Sequence, residues 1–240
     1  MVRTRYLTWL VAAIVLALAL RPPDARAADI KLSTVIITLS DRQVATGLTL
    51  TNVGAKPALF HLRLSRWTQA GGQDVLDPST DLLINPPIVE IPPQAAQMVR
   101  IGYAGKRQQP AEQAYRLMLE EVPIANNAGA QAVETLLKIS LPVFIEPLGN
   151  DAAPAITATA RRNAGLTLAN NGMRHVRIIN YALLDRSGRP GPVHQGPRYV
   201  LAQSQATLAL EPGDFERDPA TVDLTTAGGP LKLPLARATP

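Results

Sequence analysis

The side chains best suited to acid–base or metal chemistry are three histidines, His61, His175 and His194, and one carboxylate pair, Glu120-Glu121. No histidine stands at metal-ligand spacing from another histidine or a carboxylate, and with no cysteine in the chain there is no thiolate site. His61 sits in a run that alternates apolar and polar residues, where a partly buried histidine is structural. Glu120 and Glu121 are neighbours in a stretch of strand character. Their carboxylates therefore point to opposite faces and cannot flank one bond. There is no GxSxG elbow, SxxK, HExxH or phosphate loop. The chain is read as a non-enzyme needing no cofactor and no metal.

What the residues offer instead is a surface. In VETLLKISLPVFIEP, from Val133 to Pro147, the odd positions hold Val133, Leu137, Ile139, Leu141, Val143 and Ile145. The even positions carry Glu134, Lys138 and Ser140, with Leu136 and Phe144 as apolar exceptions. A period of two over such a length predicts a long β-strand from Val133 to Ile145 with one apolar face. That face is either core or a surface to be lent to another chain.

The elements around it read as all-β. Proline (21 residues) and glycine (16) punctuate the sequence into short segments. Expected strands are 30–39, 45–52, 58–67, 88–91, 96–103, 113–122 and 133–145. They are followed, after the turn-rich LGNDAAP, by 155–160, 165–169, 176–184, 199–202, 206–210 and 221–224. The first seven suit one immunoglobulin-like sandwich, and Asn170-Asn171-Gly172 marks a turn in the second set. No repeat relates the halves in this reading, so their shared architecture rests on strand pattern alone.

Arg3 and Arg5, an apolar run from Leu7 to Leu20 and Ala25-Arg26-Ala27 have the form of a secretory signal peptide, residues 1–27. The apolar run is shorter than the ~20 residues a membrane span needs, so the mature chain is not expected to be membrane-embedded. Removing the leader's four arginines and one aspartate from 24 basic and 19 acidic residues leaves 20 and 18, a net charge of +2. No basic footprint for nucleic acid survives. Exported and without cysteine, the chain must be stabilised by apolar cores, and two domains of ordinary size satisfy that. The expected organisation is residues 28–148 and 149–240.

Several segments, in order, resemble the periplasmic pilus chaperones, the PapD-like family of the chaperone–usher pathway. They are LTLTN at 48–52; Trp67; DLLINPP at 81–87; VRI at 99–101; YRLMLEEVP at 115–123 and LPVFIEP at 141–147. Two more, NGMRHV at 171–176 and YVL at 199–201, lie in the second half. The LPVFIEP ending is closer to the divergent branch associated with spore-coat-U-type pilins.

The resemblance implies two immunoglobulin-like sandwiches in an L or boomerang arrangement, working in the periplasm in pilus biogenesis and cell wall organisation. It also implies donor-strand complementation: the chaperone lends an edge strand to a pilin-like subunit lacking its last strand, then delivers it to an outer-membrane usher. This is β-augmentation, with backbone pairing for affinity and alternate side chains filling pockets. Aligned on Pro147, the lent side chains are Val133, Thr135, Leu137, Ile139 and Leu141, with Leu136 and Phe144 anchoring the strand to its own domain. The loop Ile124–Ala132 precedes them, and self-association of the free form would cover the same edge.

The resemblance also marks departures. The two basic residues that hold the subunit's C-terminal carboxylate in this family fall at Ile36 and Pro142, so Lys138 and Arg116 are the candidate substitutes. The acidic residue of the family's interdomain charge cluster falls at Glu112, but its arginine partner falls at Glu146. The joint is therefore expected to rest on apolar contact near Pro147 and Leu148. Rival readings are a structural surface or adhesin-type sandwich and a carbohydrate-binding sandwich. The mid-chain position of the apolar strand opposes the first, and an aromatic content of 4% opposes the second.

Overall fold

The computed structural model describes residues 29–105, 109–124, 135–147, 153–161, 165–216 and 218–237. The expected leader, Val133 and most of the loop Ile124–Ala132 lie outside them. Seventeen strands and one short 3-10 turn (Pro212–Phe215) occupy these residues, and no α-helix is found among them.

The first ten strands are β1 (Ile30–Leu32), β2 (Ile37–Leu39), β3 (Ala45–Asn52), β4 (Ala58–Ala70), β5 (Gln73–Pro78), β6 (Leu82–Asn85), β7 (Ile88–Ile91), β8 (Ala96–Tyr103), β9 (Gln113–Val122) and β10 (Lys138–Ile145). One layer runs β1-β3-β8-β6 and the other β2-β10-β9-β4-β5, with β7 also on β4. Leu48 and Leu50, Val99 and Ile101, and Leu117 and Leu119 alternate with half-exposed or exposed neighbours and meet between the layers, which is the period-two pattern made physical. The single strand expected over 30–39 is two. β1 pairs antiparallel with β3, the chain crosses at 33–36, and β2 pairs parallel with β10. Thr34 stabilises the crossing by donating its hydroxyl to Ile36 O (2.7 Å).

The second set is β11 (Ile156–Arg161), β12 (Gly165–Asn170), β13 (Val176–Asp185), β14 (Pro190–Val200), β15 (Ser204–Leu208), β16 (Pro219–Thr226) and β17 (Gly229–Arg237), in the order β14-β13-β16-β17-β11-β12-β15. β17 joins the layers: its first part pairs with β16, and Leu235–Arg237 run parallel to β11. Leu166, Leu168, Ile178, Val200, Val222 and Leu224 form a separate core at 0% exposure each. Two β-sandwich domains result.

The halves do share a repeat, contrary to the sequence reading. GLTLTNVG at 47–54 and GLTLANNG at 165–172 occupy equivalent corners. Asn52 donates to Lys56 O and Ile91 O and accepts from Gly54 N–H (3.0 Å). Asn170 donates to Arg174 O, Val200 O and Leu201 O and accepts from Ala155 and Gly172 N–H. Each asparagine thus satisfies backbone groups that the end of a strand leaves unpaired. Gly172 is fixed by crowding, because a Cβ there would lie 2.3 Å from Ala153 O.

Four strands escaped the sequence reading in whole or part. β5 is mostly exposed, and β6 is only four residues long with LLI at its start, so no alternation shows in either sequence although Leu82 is buried. β14 carries three prolines and is an edge strand, where proline's missing N–H costs nothing. β17, GPLKLPLAR, alternates cleanly but is broken by proline.

Candidate functional site

β9 positions the lent-strand candidate. Along the whole of Lys138–Ile145 it pairs antiparallel with β10, from Lys138 opposite Glu120 to Ile145 opposite Gln113. The other side of β10 is only half used. Val143, Phe144 and Ile145 lie against β2, and among the described residues no strand pairs with Lys138–Pro142 on that side. Backbone N–H and C=O groups of alternate residues there face outward, as on any sheet edge.

The strand begins at Lys138 rather than Val133. Thr135, Leu136 and Leu137 lie outside any strand, although Leu137 exchanges contacts with Glu121: its carbonyl accepts the Glu121 N–H (2.9 Å) and its N–H donates to Glu121 Oε2 (2.8 Å). Thr135 is exposed. Leu137 and Ile139 are half-buried at the rim of the first core, and Leu141 is inside it at 4% exposure, with Val143 and Ile145. Of the even positions, Leu136 is 42% exposed and does not anchor the strand. Phe144 does, but against the other domain.

That contact is the joint. Phe144, Trp67 and Ala114 of the first domain form one buried cluster with Tyr199 and Leu201 of the second. Phe144 stacks on His175 (centroids 3.8 Å, 11° between planes), and Trp67 meets Tyr199 edge-on at 5.3 Å. Gln69 accepts the Leu201 N–H and donates to Tyr199 O, extending β4 into the second domain by its side chain. The β4–β5 tip adds a backbone bond from Thr207 N–H to Gly72 O (3.1 Å).

Two charged contacts accompany this apolar joint. Glu112, 4% exposed at its side chain, accepts the His175 N–H (2.9 Å) and lies 2.6 Å from its Nδ1. Arg174 reaches Glu146 at 3.0 Å. With glutamate at 146, the arginine comes from the second domain and the acids from the first. Pro147 is buried nearby, whereas Leu148 lies outside the described residues. His175 stands at no metal-ligand spacing in the sequence, and its place in NGMRHV is the signal that marks it there.

Between the domains lies a cleft of about 410 Å³. Ile36 and Pro142 both line it, so the two positions at which the resemblance implies basic groups do face the same space. The cations there are different ones. Arg116, directly across the ladder from Pro142, lines the cleft with Arg177 and Arg198 of the second domain. Arg116 lies over the Trp67 ring at 3.7 Å, a cation–π contact. Burial holds its guanidinium below the usual arginine range, while Asp74 and Tyr199 act in the opposite sense. Lys138 is elsewhere. Its ammonium lies 2.7 Å from Glu120, which Arg63 also contacts. The Lys138 hydrogen bond, with Arg63, holds the Glu120 carboxyl below the ordinary carboxylate range.

Among the described residues no group of three or more His, Cys, Asp or Glu side chains is arranged to hold a metal ion. His194 pairs with the buried Asp214 and stacks on Tyr181, which fixes the 3-10 turn to β13 and β14.

Two β-sandwich domains, an edge strand paired for only part of its length and a cationic cleft at its end define the class of protein. Residues 29–150 match the family described as pili and flagellar-assembly chaperone, PapD N-terminal domain, and the chain belongs to that family of non-enzymatic binding chaperones. Pilus-assembly chaperones of this family are periplasmic, and among the described residues no helix is long and apolar enough to cross a membrane.

Solved structures agree in fold. The pre-assembly complex of CsuC with the tip adhesion subunit CsuE, from the archaic chaperone–usher Csu pili of Acinetobacter baumannii, is matched at 20% identity and a TM-score of 0.71, over 88% of this chain and 100% of that one. The complex of the SafA pilin with the SafB chaperone of Salmonella enterica is matched at 16% identity and a TM-score of 0.63, over 88% and 98%. The CupB2 chaperone of Pseudomonas aeruginosa is matched at 17% and 0.58, over 86% and 100%. A comparison with curated protein sequences found no match.

Proposed function

We propose that this chain is a periplasmic chaperone that completes a pilin-like subunit by donor-strand complementation and passes it to an outer-membrane usher. The observation that carries the reading is the half-paired β10, whose free side from Lys138 to Pro142 leaves backbone groups available to another chain. Leu137 and Ile139, half-buried on the rim of their own core, supply the side chains that move into the client's groove, with Val133 and Thr135 preceding them. Full burial of an aliphatic side chain is worth about 1.5–3 kcal/mol, and each half-buried residue retains roughly half of that for the client. Leu141, already at 4% exposure, contributes backbone pairing more than new burial. Arg116, in the cleft beside Pro142, holds the client's carboxylate end in place of Lys138, which is bound to Glu120.

The residues 1–27 act as the export signal, with the first domain over 28–148 and the second over 149–240. Kinship with the spore-coat-U-associated branch is supported by the LPVFIEP ending. Structures of chaperone–subunit complexes among the fold matches support a pilin-like partner.

The test is co-expression with pilin-like subunits and recovery of the complex. Ile139→Asp places a charge in the client's apolar groove. It is expected to reduce recovery at least tenfold while thermal unfolding of the free chaperone shifts little, because Ile139 lies at the rim of its own core. Undiminished recovery refutes the donor role, and loss of folding by the variant assigns Ile139 to the chaperone's own core.

A further inference from the structure

The open part of β10 is set by which of its residues turn their backbone groups outward. Along an antiparallel pair, residues alternate between bonding the strand opposite and facing away from it. The Glu121 N–H bonds Leu137 O (2.9 Å), so the odd residues Leu137, Ile139, Leu141 and Val143 direct their groups at β9. The Glu146 N–H bonds Leu39 O (2.8 Å), so the even residues direct theirs to the side that β2 occupies. Over the stretch that β2 does not reach, the even residues are Lys138, Ser140 and Pro142. Lys138 and Ser140 each present an N–H and a C=O on that side. Pro142 presents no N–H, because its nitrogen is closed into the ring.

A sheet tolerates proline where the missing N–H would point away from the ladder, and Pro142 meets that condition. It stands opposite Arg116 and costs the pairing with β9 no bond. It is buried at the wall of the interdomain cleft beside Ser140 and Leu141, with Val35 and Ile36 of the chain crossing lining the same space. We propose that Pro142 is a register stop for the client's strand. The client pairs with Lys138 and Ser140, meets no donor at 142 and leaves the sheet there. This rests on the reading of β10 as the client-pairing edge. The stop sets the client's register through the backbone, independently of the side chains that fill its groove, and it keeps the pairing short enough to be given up at handover.

The test compares the wild type with Pro142→Ala and with the bulkier Pro142→Val, each co-expressed with pilin-like subunits and purified as the complex. Either substitution adds the missing donor. Transfer of the subunit to an excess of isotopically labelled wild-type chaperone times its release, and one added backbone bond is expected to slow that release about three- to tenfold. Amide exchange gives a second reading, which loss of the ring's packing alone would not produce. The client should protect the Lys138 and Ser140 amides in the wild type, and the amide at position 142 as well in both variants. Release slowed less than threefold, or an amide at position 142 that the client leaves unprotected, overturns the proposal and assigns the end of pairing to β2 and the crossing at 33–36. Should neither variant fold, the free wild type still decides: its Lys138 and Ser140 amides should exchange at least tenfold faster than those of Ile139 and Leu141, and a smaller difference overturns the proposal. Failure of the wild type to recover any subunit removes the client-pairing reading and the stop with it, whereas complexes recovered with unchanged release remove the stop alone.

Discussion

Glu112→Ala should loosen the joint between the domains in a way that can be read at one amide. The Glu112 carboxylate is 4% exposed, accepts the His175 N–H at 2.9 Å and sits 2.6 Å from its Nδ1. Alanine leaves both nitrogens facing a gap. A buried donor without a partner costs about 1–3 kcal/mol, and a bond to a charged acceptor is roughly twice as strong as a neutral one. The His175 side chain is 23% exposed, so water recovers part of the loss. The expectation is about 1–2 kcal/mol, which is roughly five- to thirtyfold faster local opening.

Hydrogen exchange of the His175 amide measures this directly, with Leu50 and Leu168 as reporters of the two cores. Glu112→Gln keeps a neutral acceptor in place and should recover more than half of the protection. The reasoning fails if the His175 amide of Glu112→Ala exchanges within twofold of the wild type. It fails equally if Leu50 and Leu168 accelerate as much as His175, because the loss would then be global.

Further outcomes follow from the same geometry. Asn170→Ala removes a buried side chain that bonds three carbonyls and two amides, and should lower the stability of the second domain by about 3–5 kcal/mol in denaturant unfolding while a reporter of the first domain is unchanged. Asn52→Ala should do the converse with a smaller loss, since fewer bonds are broken. Lys138→Ala should raise the Glu120 carboxyl toward its ordinary value in an NMR titration. A carboxyl depressed in the folded state supports stability above its unfolded pKa of about 4.3 and loses that support as pH falls through the folded value, so the variant's acid sensitivity should move upward within this window. Gly72→Ala would place a Cβ 2.2 Å from Thr207 Oγ1 at a φ of +78°, and should break the bond between the β4–β5 tip and β15, seen as faster exchange of the Thr207 amide.

Strand alternation was legible where one face meets a core and the other meets water. LTLTN and YRLMLEEV announced β3 and β9 because each residue's environment is set by its own sheet, whereas LPVFI in β10 is buried on both faces, with Phe144 covered by the other domain. Where a strand is a proline-bearing edge, as β14 is, or mostly exposed, as β5 is, local sequence holds no periodic signal. The Asn52 and Asn170 corners were visible as letters, but their equivalence rests on bonds to residues up to 39 positions away.

Composition and the order of short alternating segments were sufficient, from sequence alone, to determine an all-β chain with one strand more apolar than an ordinary edge. Only the tertiary structure decided which part of that strand is free, that Phe144 serves the joint rather than its own core, and that the cations of the cleft are Arg116, Arg177 and Arg198. The physical reason is that period two assigns a side chain to a face, whereas what covers that face depends on strands and domains distant in sequence. A guanidinium's partners are likewise set by where two domains meet, which no local spacing encodes.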